Sequence, residues 1–353
     1  MPTFCRHNRF IERCPICSKT LPGQTPARSG GAGSRPGGSQ RRAGAAGTAS
    51  RGAKRPRTTD VKVYVDGRRR GVDDGYECEL VPGLRSSLDA RRLAEEIAFA
   101  DGRLQALALQ PPGAYALAAE LGAGGEIERA GWLCFLIAYL CPLDGDEPFA
   151  AISRAPSLDQ ADELSDEQID GLLLGPRTCH EPGRGAATLR AYLAWARRAG
   201  SQQIALTGEE SWSPERRFER VFERLSIPGF PRWGRFELLV ILGGLGLYEM
   251  SADSLHLATA AAPRAGGAGR SAGTGSAEAG DQVLTAAKRV FGIGDPLLLE
   301  RRAKLLAQET GAPLAALDLA LFNWYRAERA TLGFPAQVLD ADALMQAELA
   351  LGL

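Results

Sequence analysis

Near the start of the chain, Cys5, His7, Cys14 and Cys17 have the types and spacing of a zinc site. The Cys14-Pro15-Ile16-Cys17 turn can donate two thiolates as a knuckle, and Cys5 and His7 can complete a tetrahedron. A segment of about 18 residues cannot build a hydrophobic core, so a bound structural zinc would have to order it. The competing reading is a tail with incidental cysteines. It is disfavoured because four of the chain's ten Cys and His fall within 13 positions.

A second chemistry-bearing stretch is Ile227-Pro228-Gly229-Phe230-Pro231-Arg232-Trp233-Gly234-Arg235. Ser213 and Pro214 open a helix that carries Phe218, Val221, Phe222 and Leu225 on one stripe. Gly229 supplies the backbone freedom of a tight turn, and the run from Phe236 to Leu247 then enters a core. This order reads as a helix–hairpin–helix, whose hairpin N–H groups and helix N-terminus face a DNA phosphate without reading bases. The plainer reading is an ordinary turn between two core helices.

Downstream, two aspartates compete for a catalytic role. Asp253 lies 24 residues after Gly229. Asp281 leads into Lys288 and Arg289, which with Arg301 and Arg302 are candidate phosphate partners. Either aspartate is equally readable as a helix cap. His256 follows Asp253 by three, so a helix would put both on one face, although a lone histidine is more often structural. The adjacent Cys179-His180 is a poor prospect for a thiol–imidazole pair, and Asn323 is a possible pocket amide beside core aromatics.

The elements that must position these groups read as mainly α. The chain has 353 residues, 44% hydrophobic and 24% charged, which suffices for at least one sizeable core. Net charge is zero, so any nucleic-acid partner must be recognised by local charge. No apolar run is long enough for a membrane span, no signal core opens the chain, and the odd cysteine count argues against a disulfide framework. A cytoplasmic, nucleoid-associated protein with reduced thiols is expected, and the Ala, Gly and Arg content points to a GC-rich bacterial genome.

Residues 19–58 carry nine basic and no acidic side chains among Gly, Ser, Ala and Pro, the composition of a disordered basic linker. Lys54-Arg55-Pro56-Arg57 suits a minor groove or phosphates as well as it suits a solvated linker. Val61–Val65 alternates before Asp66-Gly67, and Tyr76–Val81 is the expected returning strand of a short β-hairpin. Leu88, Leu93 and Ile97 then repeat at near-helical spacing behind a Ser87/Asp89 cap. Further helices are expected near 126–140, 166–174, 186–199, 213–225, 281–291, 296–310 and 313–328. The segment 132–141, with Cys134 and Cys141 seven apart, is apolar all round and so buried. Residues 258–280 read as a disordered insertion. The predicted organisation is a zinc knuckle over 1–18, the basic linker over 19–58, and a helical domain over 59–353.

The hairpin resembles the helix–hairpin–helix DNA glycosylase superfamily in Pro228-Gly229-Phe230, and Arg232-Trp233 looks like the alkyl-base variant. Two departures stand out. Pro231 replaces the second glycine and removes an amide donor. Trp233 occupies the position where bifunctional members carry a nucleophilic lysine, so Schiff-base strand cleavage is not implied there.

A narrower likeness spans about residues 60–330. It rests on Gly229–Glu237, Asp253-Ser254-Leu255-His256, Ala286–Asp295 and Leu317–Trp324. These together resemble the alpha-glutamyl/putrescinyl thymine pyrophosphorylase family, clade 3, and imply a DNA-glycosylase-like helical fold. They also imply chemistry on a flipped, modified thymine in DNA, with an amine such as glutamate or putrescine displacing pyrophosphate from the 5-methylene carbon. The site residues so implied are Asp253 or Asp281 as the carboxylate. Gly229, Phe230, Arg232, Trp233, Gly234, Arg235, Lys288 and Arg289 are the expected DNA contacts. Base excision and non-catalytic DNA binding remain the alternatives at this stage.

Overall fold

Helix punctuation in the sequence sets most of the architecture. The Ser213 hydroxyl accepts the Arg216 N–H at 3.2 Å and Pro214 occupies the first helical position, starting one helix. Asp295 caps Leu297 and Leu298 ahead of Pro296, and Gly311 ends that helix at φ +70°. Gly292, at φ +65°, ends the helix before it in the same left-handed conformation.

The computed structural model describes residues 71–161, 165–261, 281–326 and 328–353. In order, the α-helices are α1 (Ser87–Leu109), α2 (Gly113–Ala123), α3 (Ile127–Leu140), α4 (Ala150–Arg154) and α5 (Asp166–Asp170). Then follow α6 (Gly185–Arg198), α7 (Gln202–Thr207), α8 (Pro214–Arg224), α9 (Arg232–Gly244) and α10 (Leu257–Ala261). The last are α11 (Gln282–Phe291), α12 (Pro296–Thr310), α13 (Leu314–Tyr325) and α14 (Ala341–Leu351). No strand occurs among the described residues.

α9 is the axis of the site. Its apolar segment from Phe236 to Leu242 packs against α3 and α1, and α1 in turn packs on α13 and α14. α11 lies on α13. Within the core, Phe135 of α3 stacks on Tyr192 of α6 with ring centroids 3.8 Å apart, and the Phe230 ring meets Phe135 edge-on at 5.1 Å. The hairpin residue Phe230 is thus tied to the centre of the helical body. No described helix is long and apolar enough to cross a membrane.

Several expectations need correction. Tyr76–Val81 forms extended coil and turns rather than a returning strand. Tyr76 spends its hydroxyl on the Leu351 carbonyl at 2.5 Å instead of pairing in a sheet. The expected partner arm, Val61–Val65, lies outside the described residues, as do the candidate zinc ligands Cys5, His7, Cys14 and Cys17 and the linker over 19–58.

The stripe assigned to α1 is half right. Leu93 and Ile97 are fully buried but Leu88 is 63% exposed, because the helix begins only at Ser87 and its first turn projects beyond the core. Ser87 and Asp89 do not cap it: the Ser87 hydroxyl donates to Asp74 at 2.6 Å, and Asp89 accepts the Gly71 N–H at 3.1 Å. The helix expected over 166–174 stops at Asp170. The insertion expected from 258 begins later, since α10 occupies its first residues, and 262–280 lie outside the described residues.

Candidate functional site

The hairpin has the predicted parts. α8 ends at Arg224, Ile227 N–H donates to the Leu225 carbonyl at 2.9 Å, and Phe230 N–H donates to Ile227 at 3.3 Å. Gly229 sits at φ +77°, which favours glycine, and a side chain there would collide with Thr188 of α6. Gly234 is needed for a different reason: a Cβ on it would strike the Cys179 sulfur and the Phe230 ring. Pro231 precedes α9 in extended conformation, so the first-turn N–H groups of Arg232, Trp233 and Gly234 have no partner within the helix. Among the described residues the Gly229 N–H donates to no backbone carbonyl.

The side chains of that first turn go inward. Arg232 is buried, its Nη1 bonding Asp318 at 2.7 Å and the Leu255 carbonyl at 2.8 Å. Its Nε and Nη2 grip Asp281, the latter at 3.2 Å. Arg235 is buried as well, donating to the Phe222 carbonyl at 3.0 Å and lying 4.3 Å over the Phe222 ring. That carbonyl belongs to the last turn of α8, so Arg235 clamps the two helices of the hairpin together at the negative end of α8. Neither guanidinium is on the surface, where direct contact with DNA phosphates would require it. Phe230 is buried too, whereas Trp233 is half-buried.

Arg232 is one member of a longer buried chain of charge. Arg103 of α1 pairs with Glu237 of α9, and Arg177 bridges Glu237 at 3.5 Å to Asp318 of α13. Arg232 then joins Asp318 to Asp281, which caps α11. Three guanidiniums alternate with three carboxylates, all nearly inaccessible to water, so the buried charge is compensated pair by pair. Burial alone would raise the Asp318 carboxyl, but the charges of Arg177 and Arg232 outweigh it and hold it below the ordinary carboxylate range. Burial, then the charge of Arg232, brings Arg235 down to about 10.

The two candidate aspartates have different surroundings. Asp281 accepts Val283 N–H at 3.0 Å and Leu284 N–H at 3.3 Å on the oxygen that also meets Arg232, and its other oxygen takes the Arg232 Nε. A carboxylate held that way is fixed in position beside the first turn of α9. Asp253 lies in a loop, its side chain 68% exposed and paired with Lys304 at 2.8 Å. The expected helical face shared by Asp253 and His256 does not form, since residues 251–256 are not helical. His256 has φ +55° and stacks on Phe222 at 3.8 Å. Burial, then the charges of Arg232 and Arg235, depresses its imidazole to about 4.

A small pocket opens beside the charge chain. It is lined by Tyr115, Ile137, Ala138, Cys141, Pro142, Arg177, Trp233, Glu237 and Leu332, with room for about one water molecule. Trp233 is the sole lining residue that is not buried. The Nε of Arg177, one of these lining residues, is buried and has no hydrogen-bond partner among the described residues. Cys141 contributes a thiol that burial pushes up to about 12.

The remaining candidates lie elsewhere. Lys288 is exposed on α11, Arg289 lies 4.6 Å over the Tyr325 ring, and Arg302 donates to the Glu79 carbonyl at 2.8 Å. Asn323 is not in the pocket lining; its amide exchanges two hydrogen bonds with the Ala330 backbone. Cys179 and His180 do not pair. The thiol faces the Ala138 carbonyl at 3.7 Å, while His180 bridges Asp170 at 2.9 Å and the Tyr139 hydroxyl at 3.2 Å.

Residues 179–286 match the family described as alpha-glutamyl/putrescinyl thymine pyrophosphorylase clade 3. That segment runs from Cys179 into α11 and so contains the hairpin, Arg232, Trp233, Glu237 and both aspartates. Arg103, Arg177, Asp318 and most of the pocket wall lie outside it. No curated protein and no solved structure matches the chain.

Sequence reading assigned no role to Arg103, Arg177, Glu237 or Asp318. A signal existed for the two acids: Glu237 and Asp318 each stand alone in apolar helical runs, Phe236-Glu237-Leu238-Leu239 and Leu317-Asp318-Leu319. A lone carboxylate on a buried helix demands a buried cation. Which cation answers it is not visible locally, as Arg177 and Asp318 are 141 positions apart.

Proposed function

We propose that this protein modifies thymine in DNA, exchanging the pyrophosphate of a 5-(pyrophosphoryloxymethyl)uracil base for an amine. The observation that carries the reading is a convergence within the matched segment. The hairpin tip at Gly229 and the pocket residue Trp233 are four positions apart, on either side of the start of α9. A hairpin that seats one phosphate would therefore bring a flipped base to the pocket.

In this reading the Gly229 N–H and the free N–H groups of the first turn of α9 hold the DNA backbone. The buried chain fixes α9 so that the geometry does not relax when DNA arrives. Asp281 acts through Arg232, holding the first turn of α9 in place. The amine attacks the 5-methylene carbon in its neutral form, pyrophosphate leaves with the electrons of the C–O bond, and the excess proton on the new C–N bond passes to water. Lys288, exposed on α11, is the candidate partner for DNA phosphates or the departing pyrophosphate. Cys5, His7, Cys14 and Cys17 belong to the same proposal as a zinc clip ordering the N-terminal segment, and metal analysis of the purified chain tests it.

The DNA part is tested by binding to duplexes with and without 5-hydroxymethyluracil at two salt concentrations. The expected result is affinity that falls with salt and favours the modified duplex. Absence of binding to both would remove the hairpin's role. Release of a free base on incubation would replace amine transfer by excision.

A further inference from the structure

Two residues that line the pocket beside α9, Arg177 and Glu237, carry polar atoms whose bonding capacity the described residues do not fully use. The Arg177 Nε is a buried donor with no acceptor, although both Nη atoms of that guanidinium are engaged. The Glu237 Oε2 is 3.5 Å from Arg177 Nη1, a long contact that leaves it able to accept another donor, while Oε1 is held by Arg103. Both residues line the same pocket as the half-buried Trp233 ring. A buried donor without an acceptor, beside an acceptor with spare capacity, is costly unless a ligand satisfies it.

We infer that Glu237 and Arg177 read the imide edge of a flipped thymine-type base, Glu237 accepting from N3–H and Arg177 Nε donating to the adjoining carbonyl. This rests on the DNA reading above and assigns base choice to two residues. A uracil or thymine ring presents a carbonyl acceptor beside an N–H donor, which complements the pair. With the ring held in the same place by its glycosidic bond, cytosine puts its N3 lone pair where uracil has N3–H and its 4-amino donor where uracil has the 4-carbonyl, so the pair would oppose lone pair to carboxylate and donor to donor. Selection of this kind is strong because the wrong base leaves buried groups unpaired.

The pocket is nearly closed, so entry requires a side chain to move. Trp233 is the one lining residue that is not buried, and moving it gives up its contact with the Cys179 thiol. Its indole is larger than a pyrimidine ring, so a base entering there would take the place the indole leaves and stack on it.

The experiment uses the full-length protein and duplexes carrying one 5-hydroxymethyluracil, one 5-hydroxymethylcytosine, or one N3-methylated 5-hydroxymethyluracil. The N3-methyl group destroys pairing and makes flipping easier, so a protein blind to N3 would bind that duplex more tightly. The expected result is the reverse: binding weaker by about tenfold or more for both the cytosine and the N3-methyl duplex. Glu237→Gln, whose amide can both donate and accept, should bring the uracil and cytosine duplexes to within about threefold of each other. Because that variant also loses the Arg103 ion pair, the wild-type comparison decides if it fails to fold. Preference for 5-hydroxymethyluracil over plain DNA that is indifferent to N3-methylation overturns the assignment and leaves the DNA reading standing. Failure to bind any of the duplexes overturns both.

Discussion

Asp281 and Asp253 are the same residue type at comparable promise in the sequence, and they lie in opposite physical worlds. Asp281 is 4% exposed at the side chain and part of a six-member buried charge chain. Asp253 is mostly in water, facing a lysine that is itself 40% exposed. α8 extends the contrast: its outer face carries Glu215, Glu219 and Glu223 next to Arg216, Arg220 and Arg224, all exposed and near neutrality together. Charge on that face is solvation, whereas charge along α9 is architecture. What separates them is the number of partners each group would strand if it were removed.

The largest effect is expected at Asp318, which joins Arg177 to Arg232. Asp318→Asn leaves two buried guanidiniums short of a counter-charge and should lower unfolding stability by about 3–5 kcal/mol, read from the urea midpoint. A loss below about 1 kcal/mol would mean water already reaches the chain. Asp281→Ala removes one counter-charge and the cap of α11, and should cost about 3 kcal/mol in the same measurement. Its amine-transfer rate should fall and its salt-dependent DNA binding should weaken in part, because Arg232 in the first turn of α9 loses a partner while Asp318 and the Gly229 turn remain.

His256 sharpens the comparison through pH. Its folded value of about 4 lies below the ordinary histidine value of 6.5, so the unfolded chain binds more protons between the two. Stability is therefore fully present above pH 6.5 and declines as pH falls toward 4. His256→Asn, which tolerates the positive φ, should remove on the order of 2 kcal/mol of that decline. An unchanged slope would place the acid sensitivity elsewhere. The smallest effect is expected at Asp253→Asn, under about 0.5 kcal/mol, since an exposed ion pair exchanges for water at little cost. Activity of this variant should equal wild type; a large loss would restore Asp253 as the working carboxylate.

Local signals carried much of the fold. Ser213-Pro214, Asp295-Pro296, Gly292 and Gly311 mark helix ends by mechanisms that need no tertiary context, and α3, α6, α8 and α11 to α13 form close to where periodicity places them. The hairpin was legible because Gly229 and its flanking prolines constrain the backbone directly. Tertiary contacts decided the remainder. Tyr76–Val81 alternates like a strand, yet Tyr76 anchors to the end of α14 and the segment runs as coil and turns, with no strand among the described residues. Arg232 and Arg235 read as surface cations because arginine near a DNA-binding turn usually is one. Their burial depends on Asp281, Asp318 and the end of α8, contacts that sequence spacing does not encode.

The most direct test of the central claim is turnover by the wild-type chain on a duplex bearing 5-(pyrophosphoryloxymethyl)uracil with an amine supplied, followed by nucleoside mass and free pyrophosphate. The account predicts one aminated nucleoside per pyrophosphate released, and loss of both in Asp281→Ala but not in Asp253→Asn. Tight, salt-sensitive binding of that duplex without pyrophosphate release or amine incorporation would contradict it and leave a protein that only holds DNA.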